Sequence, residues 1–237
     1  MKTEKVYSIN FDFRKREQKR ILEYMQQRGY KLLGFKGAES DGQVAGIPVW
    51  FSVPYIRMAG EVKNVYQSLY KVYYVDSSMP SDKSIRMTAL SEVVELGSKV
   101  TLQEDGSFSV ESGGPENAIL LVNNRAADSG TITAGLASLV NGSYAPFCAF
   151  KVDPQKPLRM EPNDKVCIFA LPTIARAGSV SAQIPAEGVL FELDAPRNRL
   201  CLEMKQEGGG FNTVCWDMPI TEVHSGEPLT QLMDSHH

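Results

Sequence analysis

Beyond Gly29 the chain alternates apolar and polar residues with a period of two, in short runs cut by Gly, Pro, Asn and Asp, and no long helical spacing returns. A period of two sends successive side chains to opposite faces of a strand. The runs predict strands at residues 30–36, 49–53, 65–75, 85–90, 99–103, 107–110, 119–123, 131–139, 144–152, 158–160, 165–171, 179–184, 189–193, 200–205 and 212–216. So many short strands with no helices between them argue against a βαβ architecture. They predict a mainly β fold, an antiparallel two-sheet β-sandwich, built as one elaborated domain or as two packed β subdomains. At 237 residues a single sandwich is still within range. The expected organisation is one β-rich domain over residues 1–220 and a polar C-terminal tail over 221–237.

One short helix precedes the strands. Residues 12–28 hold strong helix formers, with Asp12 placed to cap and Gly29 where a C-terminal glycine belongs. Ile21, Leu22 and Met25 form a narrow apolar stripe at helical spacing. Arg14, Lys15, Arg16, Lys19 and Arg20 crowd the first half, where cations oppose the helix dipole.

Hairpin registers follow from asking which loop sets apolar residues opposite one another on one face. A three-residue loop Glu104-Asp105-Gly106 pairs Leu102 with Phe108 and Val100 with Val110, and puts Gly106 at a left-handed position. By the same test, a loop Pro162-Asn163-Asp164 pairs Met160 with Val166 and Leu158 with Ile168. The segment Val166-Cys-Ile-Phe-Ala-Leu171 is apolar on both faces, so it belongs at the centre of a sheet with Cys167 deeply buried. A third hairpin near Gly208 pairs Leu202 with Val214 and Leu200 with Trp216, which forces Cys201 opposite Cys215, within disulfide reach if the local geometry cooperates.

The formal charge of -3 argues against a general nucleic-acid binder, since phosphates demand a basic surface. The N-terminus lacks the apolar core of a secretory signal, and no run approaches the ~18 apolar residues of a membrane span. The expected location is the cytoplasm, or outside the cell by export without a classical signal peptide. The four cysteines sit singly in apolar runs, without the paired spacing of a zinc site, so buried free thiols are expected and no metal or cofactor is called for.

Signatures of catalysis are sparse. There are three histidines, and the two at the end of the sequence leave His224 as the only plausible internal base. No nucleophile elbow, HExxH or P-loop occurs. Glu192 and Asp194 alternate on one strand with Glu203 on a neighbour, which would suit either an acid–base pair or the wet face of a sheet. More unusual is the aromatic pattern: Trp50, Phe51 and Tyr55 precede a strand carrying Tyr66, Tyr70 and Tyr74 on one face and Tyr73 on the other. Tyrosine joins apolar area to a polar tip, so such a ladder can hold a small ligand, a carbohydrate or a partner, or else fill the space under a sheet.

The leading expectation is a non-catalytic binding or self-assembling protein, using the aromatic set Trp50, Tyr55, Tyr66, Tyr70 and Tyr74 or its strand edges, with homo-oligomerisation a corollary of those edges. A first alternative is a membrane-active, pore-forming or toxin-like protein whose basic helix meets anionic lipid through Arg16, Lys19 and Arg20. A second is a hydrolase-like enzyme with a carboxylate and histidine site.

Overall fold

The computed structural model describes residues 6–78, 84–193, 198–205, 210–215 and 219–233. The chain is mainly β, with 56% of the described residues in strands and 9% helical, arranged as two packed sheets. Among the described residues one sheet has ten strands and the other eight.

The ten-stranded sheet runs through Ala149–Val152, Ile132–Val140, Glu61–Val75, Val6–Asp12, Arg199–Met204 and Phe211–Cys215 in spatial order. The eight-stranded sheet is organised on Pro157–Pro172. The strand Tyr30–Ser40 lies along one side of it, and Ile119–Asn123 and then Gly188–Glu192 along the other. Both sheets are mixed, which corrects the expectation of purely antiparallel sheets. Val6–Asp12 runs parallel to Arg199–Met204, and Ser98–Leu102 parallel to Ile119–Asn123. Parallel neighbours require long connections, and these pairs are separated by most of the chain in one case and by a whole intervening strand in the other.

The strand Val6–Asp12 was not foreseen. Its Tyr7, Ile9 and Phe11 enter the core between the sheets, so extended backbone persists through Asp12 and the helix begins later, at Arg16–Gln27. Asp12 binds the Arg14 guanidinium at 2.7 and 2.8 Å instead of capping the helix, and Lys15 stands at the N-cap. The helix ends as expected, with Gly29 at a φ of 66°. Its stripe of Ile21, Leu22 and Met25 is buried.

Two of the three hairpin registers need correction. Leu102 pairs with Phe108 and Val100 with Val110 as expected. The Pro162-Asn163-Asp164 turn does not exist: Pro157–Pro172 is one continuous strand, and the turn-forming residues make a bulge in it. Its second half is central, between Tyr30–Ser40 and Gly188–Glu192, and Cys167 is fully buried. Cys201 does oppose Cys215, but a register shift then sets Leu202 against Thr213 and leaves Val214 half exposed. Cys201 is disulfide-bonded, against the expectation of four free thiols, whereas Cys148 and Cys167 are free and buried. Trp216 and Gly208 lie outside the described residues.

The largest core cluster fills the space between the sheets. A second lies outside the eight-stranded sheet, where Leu33, Phe35, Cys167 and Phe169 are covered by Val223, Leu229 and Met233. The segment read as a polar tail therefore contributes structure: Thr221–Val223 adds a strand beside Gly188–Glu192, and a short helix, Leu229–Met233, closes over the sheet.

Candidate functional site

Each of the two sheets carries a bulge whose neighbours face the intersheet core. In Pro157–Pro172, Pro162 pairs with Ala38 and Val166 with Lys36, so Asn163, Asp164 and Lys165 stand against Gly37 alone. A Cβ at residue 37 would lie 2.1 Å from Asn163 Oδ1, so any larger residue there would push the Asn163 side chain from its place. In Glu61–Val75, Tyr70 pairs with Ser138 and Gln67 with Leu139, which leaves Ser68 and Leu69 unopposed. Bulges of this kind re-aim side chains and recur beside functional sites.

Beside the first of these bulges stands Lys36, which is fully buried. Its strand alternates, so Leu32, Gly34 and Lys36 share the face that looks into the sandwich. The ammonium donates to the Asn163 carbonyl and lies 3.8 Å from Asp164 Oδ1. It also stands 5.1 Å from the centre of the Tyr66 ring and 5.5 Å from that of Phe147, within range of a cation–π attraction. Burial pushes the amine down to about 8, with Asp164 pulling the other way. Lys36 therefore gives up its proton more readily than a surface lysine does.

The surrounding groups are held in their neutral forms. Tyr66 and Tyr70 share a hydrogen bond of 3.1 Å between hydroxyls, and burial raises both, Tyr70 to about 12. The Cys148 thiol accepts a hydrogen bond from the Leu136 N–H at 3.3 Å and is likewise pushed up to about 12 by burial. Tyr73, on the opposite face, donates to the Cys148 carbonyl at 2.7 Å and fixes that loop. Asp164 is the anion facing Lys36, and its side chain is 42% exposed.

A cavity of about 60 Å³ is lined by Lys36, Ile47, Phe147, Cys148, Phe150 and Met233, with Glu39, Ser40 and Thr230 among its polar lining. The Leu229–Met233 helix contributes Thr230 and Met233 to its wall and is tied to the bulge by Asn163 Nδ2, which donates to the Met233 carbonyl at 2.9 Å. A water's share of liquid volume is about 30 Å³, so such a space holds about two waters, or roughly two to four small non-hydrogen atoms.

The aromatic residues singled out in the sequence are all interior. Trp50 and Tyr55 are fully buried, and Tyr66, Tyr70 and Tyr74 are 2%, 6% and 8% exposed, so they form no exposed platform. Trp50 meets Tyr66 edge-on at 4.7 Å, Tyr55 donates to Met204 Sδ at 3.1 Å, and Tyr74 packs against Phe108. The expected alternation holds, with Tyr66, Tyr70 and Tyr74 facing the intersheet core and Tyr73 the other way. Of the five, Tyr66 and Tyr70 belong to the lysine cluster.

Arg16, Lys19 and Arg20 are exposed on the helix. The helix itself is strapped down. Gln18 donates to the Met204 carbonyl at 3.0 Å and accepts from its N–H at 2.9 Å, while Gln26 binds the Tyr55 and Met58 carbonyls. Among the described residues no helix is long and apolar enough to cross a membrane.

The carboxylate and histidine candidates do not converge. Glu203 pairs with Lys15 on the ten-stranded sheet, whereas His224 pairs with Glu187 at 2.7 Å beside the eight-stranded one. Glu192 is exposed at the far end of its strand from that pair, and Asp194 lies outside the described residues. No group of three or more potential metal ligands occurs among the described residues. No family model, curated protein or solved structure matches this chain.

Lys36 escaped the sequence reading although two signals pointed to it. It stands in phase with Leu32 on the apolar face of its strand, and the Pro-Asn-Asp run that reads as a turn is the bulge that receives it.

Proposed function

We propose that this chain is a non-catalytic two-sheet binding protein that holds a small, uncharged, carbonyl-bearing ligand in the cavity beside Lys36. The observation that carries the reading is the fully buried Lys36, a group whose burial is costly and whose perturbed ionisation is of the kind that gathers at functional sites. The charges favour a neutral ligand. Lys36 and Asp164 already balance, so an anion would compete with Asp164 and a cation with Lys36, whereas a carbonyl oxygen needs only one N–H of the ammonium. The apolar lining of Ile47, Phe147, Phe150 and Met233 suits a short alkyl group.

Small size does not preclude measurable affinity. With a ceiling of about −1.5 kcal/mol per non-hydrogen atom, a ligand of three or four atoms can reach roughly −4.5 to −6 kcal/mol. Titration of the full chain with acetone or acetamide, followed by amide chemical shifts, is expected to perturb Lys36, Phe147, Cys148 and Met233 together. Lys36→Met is expected to abolish that response. Unchanged shifts at these positions up to tens of millimolar ligand would remove the basis of the proposal.

A further inference from the structure

We propose that Lys36 captures small aliphatic aldehydes covalently, as an iminium held between the two sheets. The inference rests on the cavity being a ligand site and names the class of ligand for which the site is chemically built. The ammonium first gives one proton to solvent. The neutral amine attacks the aldehyde carbon, a C–N bond forms, the C=O π pair moves onto oxygen, and that oxygen takes a proton from the nitrogen. The proton first released returns from solvent to the carbinolamine hydroxyl, the C–O bond breaks as water leaves, and the nitrogen lone pair closes the C=N bond. Overall an ammonium and an aldehyde give an iminium and water, so the site carries one positive charge on residue 36 before and after.

That conservation of charge is what the geometry suits. The Asp164 carboxylate at 3.8 Å is counterion to either cation, and the rings of Tyr66 and Phe147 face either one. The Asn163 carbonyl accepts the single N–H that an iminium retains. Full burial of the side chain restricts the water that hydrolyses iminium ions on exposed lysines. The cavity admits an aldehyde of two or three carbons, since it holds roughly two to four non-hydrogen atoms. The apolar wall would receive the alkyl end.

The test is reductive trapping. The full chain is incubated with propanal and cyanoborohydride near neutral pH, and propylated lysines are quantified by peptide mapping, with exposed Lys19 and Lys63 as internal references. Lys36 is expected to be modified at least tenfold faster than either reference in the folded protein and at the same rate as both in urea. A folded-state rate at Lys36 equal to or below the references overturns the proposal. Acetone binding without a Lys36 adduct would overturn iminium capture and leave the binding reading standing. Absence of both would overturn the two together.

Discussion

Replacing Lys36 with methionine keeps an unbranched side chain of similar reach and removes its ionisation, which turns the electrostatics of the site into a measurable difference in stability. Burial holds the folded amine at about 8, against 10.5 ordinarily. The folded state therefore binds this proton more weakly than the unfolded chain does, and Lys36 destabilises the fold at pH values below 8. As pH rises from about 8 toward 10.5 the unfolded chain keeps the proton while the folded one has lost it. The unfolding free energy then climbs by about 1.4 kcal/mol per pH unit on account of this residue. Between pH 7 and pH 10 the gain amounts to about 2 to 3 kcal/mol, and the methionine variant lacks it. Asp164 is 42% exposed and keeps its hydration, so the substitution does not strand a buried carboxylate, and the variant should be the more favoured of the two at pH 7. Urea denaturation of both proteins across this range gives the answer by subtraction, which cancels the tyrosines and Cys148 because both proteins share them. A difference constant to within about 0.5 kcal/mol from pH 7 to pH 10 would refute the claim that a buried, cation-forming amine sits here.

Further outcomes follow from the same contacts. Gly37→Ala drives a Cβ against Asn163 Oδ1, which already accepts the Lys165 N–H at 3.2 Å, and is expected to cost about 1–3 kcal/mol in urea denaturation. Gln18→Ala strips both polar groups of Met204 of their partner in a buried position and should cost about 1–3 kcal/mol, read from the same transition. Thiol titration of denatured, unreduced protein should find only Cys148 and Cys167 reactive, with all four cysteines reactive after reduction. Glu187 raises His224 above its ordinary 6.5 through their hydrogen bond, so this pair favours the fold at low pH and the benefit fades as pH rises through the raised value. An NMR titration of His224 should show Glu187→Gln returning it toward 6.5.

Regular alternation was legible and irregularity was not. The Leu102 to Phe108 register, the central position of the apolar run ending at Leu171, and the division of Tyr73 from Tyr66, Tyr70 and Tyr74 all follow from period two, and the structure has them. The first strand carries the same signal in Tyr7, Ile9 and Phe11, but a helix read as starting at Asp12 claimed the residues around it. Parallel pairing left no local mark, because it depends on which distant strand fills the neighbouring place. The disulfide at Cys201 turned on compartment reasoning that composition could not supply, although the facing of Cys201 and Cys215 was within reach of register alone.

Pro162-Asn163-Asp164 shows why the site was harder to read than the sheets around it. Turn-forming residues are chosen for tight backbone geometry and for side chains that bond their own neighbours, and a wide bulge asks for the same properties as a hairpin loop. Local chemistry cannot separate the two; what separates them is whether the chain beyond has a partner to continue along. Here Tyr30–Ser40 extends past the irregularity on both sides, from the pairing of Ser40 with Met160 to that of Tyr30 with Pro172, so the strand cannot turn back and the surplus residues are pushed out. Gly37 supplies the space opposite them, and Lys36 beside it meets the displaced Asn163 carbonyl and Asp164 carboxylate. The lysine can be buried only because the bulge is there, so moving the bulge should expel the charge. A variant that deletes one of residues 163–165 should therefore return the Lys36 amine toward 10.5, or expose it, while leaving the far Leu102 to Phe108 hairpin unchanged. Amide exchange and lysine titration by NMR would read both effects in one sample, and a Lys36 still titrating near 8 would show that the bulge is not what holds it.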